Sequence, residues 1–227
     1  MQTISHSSHF GFVGQTTGEH PVASAAFRYL VYSLLLVAMA LAITWEACHG
    51  PLTGRFMEES LVEMLQIVVL LFTGLLGWVS GKVAPQLRAL STLIMGLATM
   101  AVVRELDAVL DRMVFDGAWQ TLVLGIAALT KYHISRCRVS LSENVKGFIP
   151  TAAFGVMASG SMMVLVVSRL LGRATLWKVI MGDGYMRIVK LAVEEGLELM
   201  GYTLILVGVL EMLRQLVSSP FQRSEER

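Results

Sequence analysis

The chain has 227 residues, 55% of them hydrophobic and only 15% charged, with a mean hydropathy of +0.64. Soluble domains carry about 25% charged residues, so this composition belongs to a chain built for lipid. A net charge of +1 excludes a nucleic-acid binder, which needs a concentrated basic surface to neutralise phosphates, and two cysteines, Cys48 and Cys137, are too few for a disulfide framework.

Residues 1–27 form a polar lead with no basic segment running directly into a short apolar core. They read as a flexible N-terminal segment rather than a cleaved signal peptide. His6, His9 and His20 lie there, too widely spaced in a Ser/Gly/Thr context to argue for more than a solvated tail. Beyond this lead the apolar runs begin. A helix crosses a hydrocarbon core of about 30 Å with about 20 mainly apolar residues. Six runs qualify: 29–45, 61–80, 87–103, 118–130, 148–168 and 197–213, the fourth being short and dependent on its flanks. Backbone groups in lipid must be satisfied within their own segment, so runs of this kind are helices. The fold class predicted is all-α: a polytopic membrane protein with a six-transmembrane-helix bundle over 28–214 and a polar tail, 215–227.

Two segments carry further pattern. The fifth span contains TAAFGVMASGSMM, with Gly155 and Ser159 four apart beside Ala158, Gly160 and Ser161. Small residues let membrane helices approach closely, which predicts that this is the central, most tightly packed helix. Between the last two spans, GRATLWKVIMGDGYMRIVK (172–190) mixes apolar and basic residues around a Gly-Asp-Gly break. It reads as an interfacial helix followed by a turn, with an ordinary loop as the alternative.

Lysine and arginine set the orientation. With the N-terminus inside, ten fall on the cytoplasmic side and eight outside, five of those eight in or beside 169–190. The cluster KYHISRCR after the fourth span is decisive, giving a multi-pass protein of the cell (inner) membrane with both termini cytoplasmic. Tyr29, Tyr32, Trp78 and Tyr132 then lie at inner span ends and Trp45, Trp119 and Trp177 at outer ones, as an interfacial aromatic belt requires.

This threading sends twelve of the 17 acids to the outer ends. Helix N-termini attract acids through unpaired N–H groups and the macrodipole, which accounts for Glu58, Glu59, Glu194 and Glu195. It does not account for Glu46, Glu105, Asp107 and Asp111, at outward C-terminal ends. Nor does it account for Glu63 and Glu198, a turn inside the apolar boundary. A charge at the bilayer centre costs about 2.5–3.5 kcal/mol, less near the surface, so such groups pair or face a polar cavity. Helical spacing aligns Glu59, Glu63 and Gln66 on the second helix and Glu195, Glu198 and Tyr202 on the sixth; Arg104, Asp107 and Asp111 form a stripe on the third, beside Glu105 and Arg112.

The candidate cation or proton site is therefore Glu59, Glu63, Glu105, Glu195 and Glu198, with Glu63 and Glu198 as buried ligands or proton carriers and Arg104 as the counter-charge. Oxygen-only ligands suit a hard divalent cation, the one cofactor this pattern points to. Di-iron sites want Glu-x-x-His on two helices, whereas the acidic pairs here are Glu-x-x-x-Glu and Glu-x-x-Glu with no histidine in register, and no nucleophile or phosphate-loop motif occurs. The expected function is an outward-facing carboxylate cluster that binds, and helps move, a cation or proton-coupled solute. The alternatives are a metal-dependent membrane enzyme acting on a lipid-borne substrate, and a structural or assembly subunit partnered by a membrane complex or a second copy of the chain.

Overall fold

The structure, a computed structural model, describes residues 21–50 and 60–218, and within them every regular element is helical. In chain order these are α1 (Pro21–His49), α2 (Leu61–Val83), α3 (Arg88–Glu105), α4 (Asp107–Met113), α5 (Ala118–Ser135), α6 (Leu141–Phe148), α7 (Ala152–Met162), α8 (Ser168–Leu171), α9 (Ala174–Met181) and α10 (Arg187–Ser218). One 3-10 turn, Pro85–Leu87, leads into α3, and a π-helical stretch, Met163–Val167, joins α7 to α8.

Five segments are long and apolar enough to cross a membrane: Ser24–His49, Leu61–Val83, Pro85–Glu105, Ala152–Leu171 and Arg187–Ser218. The expected fourth span is the exception. Gln120, Lys131 and His133 dilute the apolar run of α5, which qualifies only together with α4, and the two are bent by 113°. The predicted six-helix bundle is thus five such helices plus one bent pair.

Other boundaries move for identifiable reasons. α1 starts at Pro21, inside the stretch read as a flexible lead, because proline is preset for a first helical turn. The fifth span starts at Ala152, where Thr151 Oγ1 accepts the Phe154 N–H at 3.1 Å; residues 141–148 form the separate helix α6, opened by a Ser140–Glu143 capping box. α10 begins at Arg187 and runs to Ser218, longer at both ends than the predicted 197–213 and into the expected tail. The segment 172–190 therefore divides into α9, a tight turn with Gly182 at φ 54°, and the first residues of α10.

α10 is the centre of the bundle. It packs against α2, against α7 and α8, and against α1, while α3 covers the far side of α2 and α5 covers α3. Of its apolar window 67% is buried, against 17% for Ala152–Leu171, which overturns the expectation that the fifth span is central. Small residues do bring these two helices together, but through Gly160 and Gly201. A Cβ on Gly160 would lie 2.6 Å from the Gly201 carbonyl, and one on Gly201 would lie 2.5 Å from Val164 Cγ2. Gly208 meets Met157 one step further along. Gly155 and Ser159 are exposed, and nothing lies within 4 Å of where a Gly155 Cβ would be.

Candidate functional site

One end of the bundle gathers the C-terminal ends of α1 and α3, the N-terminal ends of α2 and α10, and α8. Glu198, in the fourth turn of α10, is fully buried there. Its Oε2 lies 2.8 Å from Arg104 Nη2, in the last turn of α3, and its Oε1 lies 2.7 Å from Arg169 Nη2 on α8. Ser168 Oγ points its one proton between Val164 O at 2.6 Å and Glu198 Oε1 at 3.3 Å. The π-helical stretch immediately before Ser168 matters to this arrangement. A residue inserted into a helix turns everything after it by about 100°, and here it sets the face on which Ser168 and Arg169 emerge.

The network extends both ways from Glu198. Arg104 Nη2 is also 3.6 Å from Glu105 Oε1, which accepts the Tyr202 hydroxyl at 2.8 Å. On the other side Arg169 Nη1 is 3.3 Å from Glu194 Oε1, and Glu194 pairs with Lys190 one turn away. Glu195 is bound differently. Gln66 Nε2, from α2, donates to both its backbone carbonyl and its Oε2, each at 3.1 Å. Gln66 is fully buried, and its Oε1 accepts no hydrogen bond among the described residues. Exchanging the amide nitrogen and oxygen would aim a carbonyl at two acceptors of Glu195, so the partners fix the orientation that leaves Oε1 unpaired.

Glu105, Glu195 and Glu198 each offer a carboxylate oxygen within 4.8 Å of the other two. Of the predicted set, these three come together, with Arg104 paired to Glu198. Glu63 is half-buried in the first turn of α2, where its N–H donates to Ser60 Oγ at 3.2 Å; it stands outside the triplet but close enough to Glu105 for their charges to interact. Glu59, with 51–58, lies outside the described residues, as do His6, His9 and His20.

Three more of the acids expected on the outer side place their carboxylates at helix starts. Glu46 Oε2 accepts the Leu61 N–H at 3.1 Å, so an acid at the C-terminal end of α1 serves the N-terminus of α2. Asp111 Oδ1 accepts the N–H groups of Gly117 and Ala118, both at 3.1 Å, at the start of α5. Asp107 opens α4, its Oδ1 accepting the Ala108 N–H at 2.6 Å. The Arg104–Asp107–Asp111 stripe dissolves because α3 ends at Glu105. Sequence reasoning grouped Arg169 with the outer basic segment and assigned it no role. The available signal was its position, at the end of a span that runs in the same direction as the one ending at Arg104.

Within this network four carboxylates (Glu105, Glu194, Glu195, Glu198) face three cations (Arg104, Arg169, Lys190). Among the described residues no lysine or arginine is within ion-pair distance of Glu195. A carboxylate so placed in a low-dielectric bundle favours uptake of a proton or of a cation. Two ligands of one calcium ion at about 2.3–2.6 Å stand at most roughly 5 Å apart, a spacing of the order the triplet shows. Comparison of the chain with protein-family models, with curated proteins and with solved structures finds no match, so the reading of this site rests on its own geometry.

Proposed function

We propose that the protein is a multi-pass protein of the cell membrane, with its acidic end outward and both termini cytoplasmic. In this reading the acidic end binds one hard cation, or a proton in its place, as the first step of moving a cation or proton-coupled solute. Glu195 supplies the uncompensated charge, with Glu105, Glu198 and Gln66 Oε1 completing an oxygen-only set. Arg104 and Arg169 pair with Glu198 and fix where its oxygens sit. Both arginines are partly open to the surface, at 35% and 47% exposure, so this end of the network reaches solvent.

The observation that carries this reading is the convergence of three carboxylates, one of which, Glu195, is held by the amide nitrogen of Gln66, whose buried carbonyl oxygen has no hydrogen-bond partner among the described residues. An amide oxygen in that position lacks a partner of positive charge, and a hard cation is one. The test has two arms. Thermal unfolding and calorimetric titration of the purified chain in detergent, with calcium, magnesium or sodium between pH 5 and 8, measure binding. Uptake into sealed vesicles measures movement. Indifference of wild type to every cation and to pH removes the reading; binding without uptake removes only the movement.

A second reading is favoured by Glu198 itself, saturated by two arginines and a hydroxyl. As a clamp joining α3, α8 and α10, the network serves a structural or assembly subunit and needs no ion. Under that reading Glu195→Gln changes stability equally with and without cations.

A further inference from the structure

The opposite end of the bundle holds a cavity of about 670 Å³ between the C-terminal end of α2, the start of α3 and the C-terminal end of α5. Lys82, Arg88, Arg136 and Arg138 line it with His133, and no aspartate or glutamate does. Among the described residues none of these four cations is within ion-pair distance of an acid. Two are held by aromatic rings: Lys82 Nζ lies 5.5 Å from the Trp78 ring centre, and Arg136 lies 5.3 Å from that of Tyr132 while donating to its hydroxyl at 3.1 Å. Ser91, also in the lining, is 2% exposed, and its hydroxyl has no hydrogen-bond partner. Four like charges and an unpaired buried donor converge on one space, which is the chemistry of a phosphate site.

A second cavity, about 240 Å³, continues from the first along the α2–α3 seam and shares Trp78 and Met95 with it. Its other walls are apolar or small, among them Leu71, Gly74, Leu75 and Thr99. A free phosphate ion gains nothing from such a groove, whereas an acyl chain does.

We propose that the two cavities form one site for an anionic phospholipid, with the phosphate among Arg88, Arg136, Arg138 and Lys82, the Ser91 hydroxyl donating to it, and one acyl chain along the α2–α3 groove. Basic pockets between membrane helices recognise lipid headgroups through this combination of charge and adjacent hydrocarbon. The inference rests on the membrane-embedded fold and is independent of the carboxylate site.

The full chain in neutral detergent is titrated with phosphatidylglycerol, with phosphatidylcholine and with inorganic phosphate, reading thermal unfolding and lipids retained in native mass spectrometry. Phosphatidylglycerol at about 100 times its Kd raises Tm by roughly 5–10 °C, with one lipid retained per chain, and the other two do not. Arg88→Gln with Arg136→Gln reduces the phosphatidylglycerol shift to the phosphatidylcholine level. Thr99→Phe, which fills the groove and leaves the basic residues alone, also reduces it. Equal shifts from both lipids, or an equal shift from inorganic phosphate, overturn the assignment. So does a phosphatidylglycerol shift that survives Thr99→Phe, an outcome legible even if the arginine variant does not fold.

Discussion

Arg104 and Glu198 are 94 residues apart in the chain, yet their side chains meet at 2.8 Å with the carboxylate fully buried. The pair closes α3 onto α10, and Arg169 closes α8 onto the other oxygen of the same group. Removing one partner of a buried pair costs about 3–5 kcal/mol because the other charge is stranded. The two sides are unequal here. Both arginines can turn toward solvent, whereas Glu198 cannot, so Glu198→Gln is expected to cost only about 2 kcal/mol. The Arg104→Gln, Arg169→Gln double variant strands the buried acid and costs more. Adding Glu198→Gln to that double variant restores stability, and unfolding midpoints in detergent read all three.

Gly201 and Gly155 make a matched comparison. A Cβ on Gly201 meets Val164 Cγ2 at 2.5 Å and the Gly160 carbonyl at 2.9 Å, a clash partly against backbone. Gly201→Ala is expected to destabilise by about 1–3 kcal/mol, the usual range for overpacking. Gly155→Ala enters open space in a helix and is expected to be neutral or to stabilise by up to about 1 kcal/mol. Thermal unfolding of the two variants side by side decides it; equal behaviour contradicts the assigned contact face.

These residues also show where the sequence was readable. Apolar run length located every long helix, because each carries the run of about 20 apolar residues that a helix needs to cross hydrocarbon. Hydropathy cut α10 short, since it counts Lys190, Glu194 and Glu195 as charges, whereas the fold pairs or hydrogen-bonds them within one network. In the fifth span the Gly155–Ser159 spacing picked an exposed face, because several small residues stand side by side there and the contact is made by Gly160. Within α10 the period is unbroken, and the Glu195–Glu198–Tyr202 face was legible: all three side chains join the acidic network.

Glu46 tests a contact that no single-helix argument reveals. At the C-terminal end of α1 the dipole disfavours an acid, but its carboxylate caps the N-terminus of α2 through the Leu61 N–H. Glu46→Ala is expected to cost about 1–2 kcal/mol, at the upper part of the capping range because the group is buried. Glu46→Gln retains an acceptor and recovers most of it. Hydrogen exchange of the first-turn amides of α2 is the local readout: they exchange faster in the alanine variant and near wild type in the glutamine variant.

The acidic site is separated from a purely structural network by Glu195 and Gln66 together. Glu195 sits beside Glu105 and Glu198 with no cation of its own among the described residues, so without added ions its charge opposes folding. Glu195→Gln is therefore expected to leave the ion-free protein as stable as wild type or more so, by up to about 1 kcal/mol, and to weaken calcium binding at least about tenfold, equivalent to 1.4 kcal/mol. Gln66→Met removes the unpaired carbonyl at similar volume. It weakens calcium binding in the same direction but lowers ion-free stability, because Glu195 loses the amide that donates to it. Opposite effects on stability with a shared loss of binding are the signature of two ligands of one ion. If both variants instead lower stability by the same amount with and without calcium, Glu195 and Gln66 are a helix-joining contact, and the oxygen set binds nothing.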